Sequence, residues 1–182
     1  MNIKRYFEFE ADWATLSLAS RQGRLGEILR EGDIIPIALK NGEQHEIVAT
    51  QDGHRKWHCI FRNCLSRTAE MNDSWTNEGG WAACKMRAYL NAVVFGLLPD
   101  DLQAVIVPTK VVQIVDGKRV ETMDKLWLPS ETQIFGKTVW AVEEPEDTQL
   151  AWYKNTQNRV KTRGSDTVWY WERSAFADSS CS

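Results

Sequence analysis

The chain has 182 residues, of which 43% are hydrophobic and 26% charged, a composition ordinary for a soluble globular protein. A formal net charge of −3 provides no overall positive field, so nucleic-acid binding is not expected. No apolar run approaches the roughly 20 residues that cross a bilayer, and the N-terminus lacks the apolar stretch of a signal peptide. Nine tryptophans favour a domain with large rings in its core and on a binding face, rather than a catalyst.

A helix is predicted over residues 12–30, after an N-terminal extension of residues 1–11. Asp12 has the side chain of an N-cap, and apolar residues recur at approximately helical spacing. These apolar residues are Leu16, Leu18, Leu25, Ile28 and Leu29. Gly23 and Gly26 lower the helix propensity, so the segment can break in two.

Two strands joined by a tight turn are predicted next, over residues 34–39 and 44–50. Asn41 and Gly42 lie between them and predict a type I′ hairpin, because both residue types tolerate the positive φ of that turn. Residues 57–65 form a third apolar segment.

Residues 71–80 form a polar loop that precedes the clearest helix of the sequence, residues 81–95. Apolar side chains at helical spacing predict this helix as the longest regular one, and Gly96 is expected to end it. The apolar positions are Met86, Leu90, Val93 and Val94. A short second helix is expected after Pro99, since two carboxylates follow this proline.

A second hairpin is predicted from the β-branched residues of 105–115. Asp116 and Gly117 form its turn, and the next five residues form the returning strand. Residues 126–129 predict a short strand, and Ser130 can cap a helical turn.

Residues 143–167 are polar and rich in loop residues, and the last strand is predicted over residues 168–171. The expected anchors near this loop are Trp140, Trp152 and Tyr153. In a strand, Trp169 and Trp171 share one face and Tyr170 takes the other. Either the two tryptophans close the core, or this strand borders a ligand site. Together the elements predict one α+β domain over residues 1–182, with short helices and antiparallel hairpins.

Two histidines and two cysteines are the strongest argument for a metal, since two of each complete a zinc tetrahedron. The four residues are His54, His58, Cys59 and Cys64. Adjacent residues of a strand point to opposite sides, which separates His58 from Cys59. We therefore expect no metal, and we expect free thiols at Cys59 and Cys64. Cys84 and Cys181 are the remaining cysteines.

Acid–base catalysis and anion binding are the other chemistries to weigh. The acidic pairs are Asp100-Asp101 and Glu143-Glu144. Each pair lies where a solvated turn or a helix start explains it, and there is no phosphate-binding loop or nucleophile elbow, so no cofactor is expected. Arg87 and Arg173 each follow a tryptophan closely. An internal strut, stacked on a ring and bonded to carbonyls, is favoured over a clamp for an anionic ligand.

Several phrases occur in a fixed order along this chain. A polar loop precedes Gly-Gly-Trp-Ala-Ala-Cys-Lys-Met-Arg-Ala-Tyr-Leu-Asn, and the last phrase is Trp-Tyr-Trp-Glu-Arg-Ser. The segments are residues 79–91, 98–108, 124–131 and 169–174. Their order resembles a family of unknown function that is abundant in gut bacteria and their prophages, and the resemblance runs over most of residues 12–178.

Some members of that family resemble phage tail-tip and surface-displayed proteins, so the resemblance implies a C-type-lectin-like fold. In such proteins the segment after the last phrase carries ligand-contacting residues, and further strands close the domain. Residues 175–182 form a shorter tail than this pattern, so a strand at 168–171 would leave an unpaired sheet edge. We expect another subunit or a neighbouring virion protein to cover that edge.

These observations favour a non-enzymatic recognition or virion-structural domain of a phage or prophage tail, which attaches to a host-surface glycan or protein. The chain would be located in the virion, or in the cytoplasm before assembly. The alternatives are an enzyme on the related sulfatase-activating-type fold, with Cys59 and Cys64 as its thiols, and a bacterial scaffold or sensor domain. The candidate ligand-binding residues are Tyr170, Glu172, Arg173 and Ser174. The residues expected to be structural are Trp81, Arg87, Leu90, Asn91, Trp127 and Trp171. The side chains of Trp81, Met86, Leu90 and Trp127 are expected to be largely buried.

Overall fold

The computed structural model describes residues 2–3, 9–142 and 144–175, with side chains from residue 11 onward. Short helices accompany antiparallel strand pairs, so the α+β class predicted from the sequence is confirmed. Within this described part of the chain, no helix is long and apolar enough to cross a bilayer. The predictions for Glu143, Cys181 and the tail beyond residue 175 lie outside the described residues.

The N-terminal half contains short helices and an antiparallel sheet. Its elements are β1 (Asn2–Ile3), β2 (Phe9–Glu10), α1 (Trp13–Arg21), α2 (Leu25–Ile28), β3 (Ile34–Ala38), β4 (Gln44–Gln51) and β5 (Trp57–Phe61). β1 pairs with β2, and β4 lies between β3 and β5. Asp12 caps α1, because its carboxylate accepts a hydrogen bond of 2.6 Å from the backbone N–H of Thr15. The chain turns at Gly23 and so divides the predicted helix into α1 and α2.

The C-terminal half is built from shorter elements and more loop. Its elements are α3 (Gly80–Ala83), α4 (Lys85–Tyr89), α5 (Phe95–Leu97), α6 (Asp100–Gln103), β6 (Thr109–Val115), β7 (Lys118–Asp124), α7 (Glu131–Phe135), β8 (Lys161–Arg163) and β9 (Asp166–Val168). A π-helical turn, Leu90–Val94, joins α4 to α5, and 3₁₀ turns occur at Ala151–Lys154 and Thr156–Arg159. β6 pairs with β7, and β8 pairs with β9.

The helix predicted over residues 81–95 is interrupted, and its ends differ from the predicted ones. Cys84 has an extended backbone, which separates α3 from α4, and its sulfur accepts a hydrogen bond from the backbone N–H of Arg87. From α4 the chain stays helical through the π turn and past Gly96 to Leu97, so Gly96 does not end the helix. Among the described residues the longest regular α-helix is α1 instead.

Both predicted hairpins form, but their turns differ. Asp116 and Gly117 have φ values of 49° and 71°, which makes the predicted two-residue turn with positive φ at both positions. In the first hairpin five residues, 39–43, connect the paired strands. The Gly42 N–H bonds the Leu39 carbonyl at 2.9 Å, and Gly42 has a φ of 89°. The type I′ prediction is wrong there, because the strand register leaves a longer loop in which Gly42 has a positive φ and Asn41 does not.

The core of the described residues lies in clusters of buried apolar side chains. The first cluster packs α1 against β3, β4 and α6. The second contains Trp81 and Met86, whose predicted burial is confirmed, whereas Leu90 and Trp127 are only half-buried at its border. The third surrounds Ile134. Two side chains that were expected to pack inward, Leu18 and Trp140, are exposed instead. Residues 126–129 and 169–171 are not strands.

Truncation of the first cluster should destabilise the fold. Ile35 is fully buried, at 0% exposure, so Ile35→Ala should lower the free energy of unfolding by about 2–5 kcal/mol through lost burial and a residual cavity. Leu18→Ala is the control: its side chain is 57% exposed, and the expected change stays within about 0.5 kcal/mol. Urea denaturation of both variants measures the difference, and equal losses would contradict the described core.

Candidate functional site

The Trp-Tyr-Trp-Glu-Arg-Ser phrase follows β9 as an irregular segment. Trp169 is 100% exposed and Trp171 is 50% exposed, and we call these two side chains the tryptophan surface. Tyr170 lies between them and packs on the third cluster, where its hydroxyl donates a hydrogen bond of 2.9 Å to the Arg159 carbonyl. The Trp171 indole N–H bonds the Ala69 carbonyl at 3.1 Å. The interpretation that the tryptophans close the core is therefore wrong, and the tyrosine faces inward instead.

Arg173 is the charged centre of a buried network. The side chain is 2% exposed, and its guanidinium lies between the carboxylates of Glu144, at 2.6 Å, and Asp147. It also donates to the side-chain oxygen of Gln133 at 2.9 Å and to the Leu128 carbonyl at 3.2 Å. These internal contacts support the interpretation of Arg173 as an internal strut rather than as a clamp for an anionic ligand. The sequence had indicated carbonyl partners for the strut but not the carboxylates of Glu144 and Asp147.

Ser174 extends this network to the start of α7. Its hydroxyl accepts a hydrogen bond from the Glu131 N–H at 2.9 Å and donates one to the Glu144 carboxylate at 3.1 Å. The buried Glu131 carboxylate in turn accepts from the backbone N–H groups of residues 139–141, at 2.7 to 3.1 Å. The Leu-Pro-Ser-Glu phrase and the final Arg-Ser therefore meet inside the protein.

Two carboxyl groups of this region have perturbed acidity. Glu144 was expected on a solvated turn, but it is buried. Burial raises the pKa of its carboxyl to about 8, with Asp147 adding to the shift and Arg173 opposing it. Glu172 is half-buried, and burial followed by repulsion from Glu131 raises its pKa to about 7. The Arg173 guanidinium faces both Glu144 and Asp147, and a single positive charge cannot neutralise two carboxylates.

A second buried network is centred on Asp124. Its carboxylate accepts hydrogen bonds from the Trp81 indole N–H at 2.9 Å, the Arg87 Nε at 2.7 Å and the Thr122 hydroxyl at 2.5 Å. Arg87 also donates to the Ala82 carbonyl at 3.3 Å. These contacts support the structural role predicted for Trp81 and Arg87.

Asn91 holds the chain immediately after Asp124. Its side-chain oxygen accepts from the backbone N–H groups of Lys125 and Leu126, at 2.9 and 3.1 Å. Its amide nitrogen donates to the carbonyls of Arg87 and Leu126, at 3.0 and 2.8 Å. The Asn91 side chain therefore hydrogen-bonds both the backbone N–H and the carbonyl of Leu126. A loop residue has no strand or helix partner for these groups, so a side chain has to provide one.

Gln113 connects the two networks. Its buried side-chain oxygen accepts from the Trp81 backbone N–H at 2.7 Å, and its nitrogen donates to the Arg173 carbonyl at 3.0 Å. Gly80 makes this approach possible, because a Cβ at that position would lie 2.3 Å from the Gln113 oxygen. The Gly-Gly-Trp phrase and the C-terminal phrase are thus joined through one amide.

Lys161 is a further buried charge that the sequence did not indicate. Its amine donates to the carbonyls of Phe61 and Arg62, both at 3.0 Å, and lies 5.2 Å from the centre of the Tyr153 ring. Burial lowers the pKa of this amine to about 8. These contacts attach β8 to the end of β5, so the buried amine of Lys161 has a structural role.

The cysteines and histidines of the described residues do not form a common site. Cys59, Cys64 and Cys84 have free thiols. The His58 ring is paired with the Asp52 carboxylate at 3.1 Å. Across the part of the chain that the structure describes, no cluster of three or more histidine, cysteine or acidic side chains is arranged to hold a metal ion.

Open clefts lie beside the Gly-Gly-Trp phrase. One of about 460 Å³ is lined by Asn72, Asp73, Ser74, Thr76, Glu78, Gly79, Ala83 and Lys85, and we call it the polar cleft. Another of about 420 Å³ is lined by Arg87, Ala88, Asn91, Phe95, Pro108, Met123, Asp124 and Lys125. The second adjoins the Asp124 network, in which Arg87 and Asp124 bind each other.

Removal of the Asp124 carboxylate should be costly. Asp124→Ala leaves the Arg87 guanidinium and the Trp81 indole N–H without their partner, so the free energy of unfolding should fall by about 3–5 kcal/mol. Thr122→Val removes one hydrogen bond from the same carboxylate and should cost only about 1 kcal/mol. Denaturant unfolding of the two variants compares them, and similar small losses would contradict the network.

Glu144 should make stability depend on pH. Folding raises the pKa of its carboxyl from 4.5 to about 8, so the protonated form is favoured in the folded protein. Its contribution to stability is complete below pH 4.5 and is lost as the pH rises through about 8. Glu144→Gln is neutral at every pH and should flatten the decrease in the free energy of unfolding over this window.

Glu146→Gln is the control for this measurement. Glu146 lies close in sequence but is exposed, and hydrogen bonds from Arg119 and then Lys110 lower the pKa of its carboxyl. It therefore stays ionised across the window, and its replacement should leave the slope unchanged. The prediction fails if Glu144→Gln retains the slope of the unaltered chain.

Comparison with known proteins gives one informative match. No curated protein and no solved structure was found to match the chain. The C-type-lectin-like assignment and the phage origin accordingly remain predictions. The model of a domain of unknown function, DUF6273, matches residues 44–182. This match contains the Gly-Gly-Trp phrase, both buried networks and the tryptophan surface, and it shows that the chain belongs to the DUF6273 family.

Proposed function

We propose that the chain is a non-enzymatic recognition domain that binds its target through the tryptophan surface. The observation that carries the proposal is the full exposure of Trp169 four residues before the buried Arg173. An exposed indole leaves a large apolar area in contact with water, whose burial against a partner is favourable. Tryptophan is also enriched among the residues that dominate binding energies.

Trp171, the half-exposed member of the tryptophan surface, is held by its neighbours. Tyr170 and Arg173 bind the interior on either side of Trp171, and the Trp171 indole N–H is itself bonded to the Ala69 carbonyl. Side chains that are already positioned lose little conformational freedom on binding. An irregular segment with such anchors is therefore suited to recognition.

The proposal assigns different tasks to the four candidate ligand-binding residues. Tyr170, Arg173 and Ser174 make internal hydrogen bonds, so they position the surface rather than contact the target. Glu172 is half-buried beside Trp171, and it remains the candidate for a polar contact with the ligand. Arg87 is ion-paired with Asp124 and Arg173 with Glu144, which favours a structural over a catalytic use of these charges.

The target in this proposal is a host-surface glycan or protein, and the domain belongs to a phage or prophage tail with a C-type-lectin-like fold. The order of the sequence phrases supports this setting through its resemblance to tail-tip and surface-displayed proteins.

Binding to intact cells tests the function. The labelled chain should bind saturably to cells of at least one strain in a panel of gut bacteria, measured by flow cytometry. The double variant Trp169→Ala, Trp171→Ala should lose this binding by about tenfold or more in affinity, because Trp truncation at a binding centre commonly costs over 1.4 kcal/mol.

Trp140→Ala is the matched control. Its indole is also exposed but lies in a separate segment, so the variant should bind like the unaltered chain. Chemical denaturation of each variant checks that the fold is retained. Unchanged binding by the folded double variant, or no binding to any strain, would refute the proposal.

A further inference from the structure

We infer that the polar cleft is a separate binding site for a neutral saccharide, with Trp75 as the ring on which the sugar stacks. The cleft has a volume of about 460 Å³, within the range of roughly 300–1,000 Å³ typical of small-molecule sites. Its lining is polar, unlike the mainly apolar lining of most such sites, which favours a ligand that is itself hydrophilic.

Trp75 provides the apolar part of the site. Its side chain is 94% exposed, and in the sequence it stands between Ser74 and Thr76, which both line the cleft. Nothing in the core requires an indole at this position. A saccharide ring has one face of C–H groups that can pack on an indole, and hydroxyls around its edge that need polar partners.

The loop that carries Trp75 is ordered by its own hydrogen bonds. The Asn72 side chain donates to the Thr76 carbonyl at 2.7 Å and accepts from the Lys85 N–H at 3.0 Å. The Thr76 hydroxyl accepts from the Glu78 N–H at 3.1 Å, and the Met86 N–H bonds the Met71 carbonyl at 3.0 Å. The indole is therefore presented on a preorganised loop, which reduces the entropy lost on binding.

The charges of the cleft select the class of saccharide. Its lining contains the carboxylates of Asp73 and Glu78 and the amine of Lys85, a formal sum of −1. Lys85 is ion-paired with Asp73 and lies 3.8 Å from Glu70, so its charge is already compensated. An acidic sugar would meet net repulsion. A neutral sugar can donate its hydroxyls to the carboxylates and accept from the amine.

This site lies on a different segment from the tryptophan surface, and the inference does not depend on the proposed function. Each can fail without the other, because Trp75 belongs to the loop before α3 whereas Trp169 and Trp171 follow β9.

A glycan array of neutral and sialylated oligosaccharides, probed with the full chain, tests the inference. We expect binding to neutral members and not to their sialylated counterparts. Titration with a bound oligosaccharide should show that Trp75→Ala weakens the affinity about tenfold or more, whereas Trp75→Phe, which keeps a ring, retains part of it. Trp140→Ala should leave the affinity unchanged.

Three outcomes would overturn the inference: no neutral saccharide is bound, the sialylated members are preferred, or folded Trp75→Ala binds as tightly as the unaltered chain. The Trp169→Ala, Trp171→Ala variant separates the two sites. If that variant loses the saccharide while Trp75→Ala keeps it, the ligand belongs to the tryptophan surface and the polar cleft is not its site.

Discussion

The burial of the Arg173 guanidinium is the constraint on which the C-terminal half of the structure depends. A buried charge is tolerated only when ionic and hydrogen-bonding partners replace the lost water. Here the partners come from separate stretches of the chain, with Leu128 before α7, Gln133 within it, and Glu144 and Asp147 after it. The positions of these loops follow from a single side chain that has to be satisfied.

The same logic extends to the Gly-Gly-Trp phrase. Gln113 offers one end of its amide to Trp81 and the other to Arg173, so neither network closes without β6. Asp124, at the end of β7, then receives Trp81 and Arg87. Many polar side chains of the phrases that dominate the sequence are therefore hydrogen-bonded or ion-paired to one another inside the fold.

Local signals in the sequence were sufficient for the elements that depend on local chemistry. Asp12 and Ser130 cap helices as their side chains predict, and Asp116-Gly117 makes the turn that both residue types favour. Cys84 shows where such reasoning stops. It looked like a helix-interior residue, but its sulfur accepts the Arg87 N–H and begins a new helix.

The sequence pattern could not indicate contacts between residues that lie far apart in the chain. The strand predicted over residues 168–171 does not continue past Val168, although Trp169 and Trp171 do face away from Tyr170. Even in a strand, a period of two would not say which face is inward. That choice is made by contacts distant in sequence, such as those of Arg173 with Glu144. Glu144 was misjudged for the same reason, because an acidic residue in a polar stretch resembles a solvated turn until its partner thirty positions away is known.

A fold with short strands and irregular loops has few backbone ladders to hold its surface in place. Buried side-chain networks can replace them, since a fully bonded polar cluster rigidifies the segments that it joins. The segment of the tryptophan surface is attached to a buried network through Arg173, whereas exposed hydrogen bonds of Asn72 order the loop of Trp75. These contacts hold the backbone of segments whose large apolar rings stand outside. The combination of buried polar networks and exposed tryptophans is the physical basis for our proposal that the domain is a recognition module.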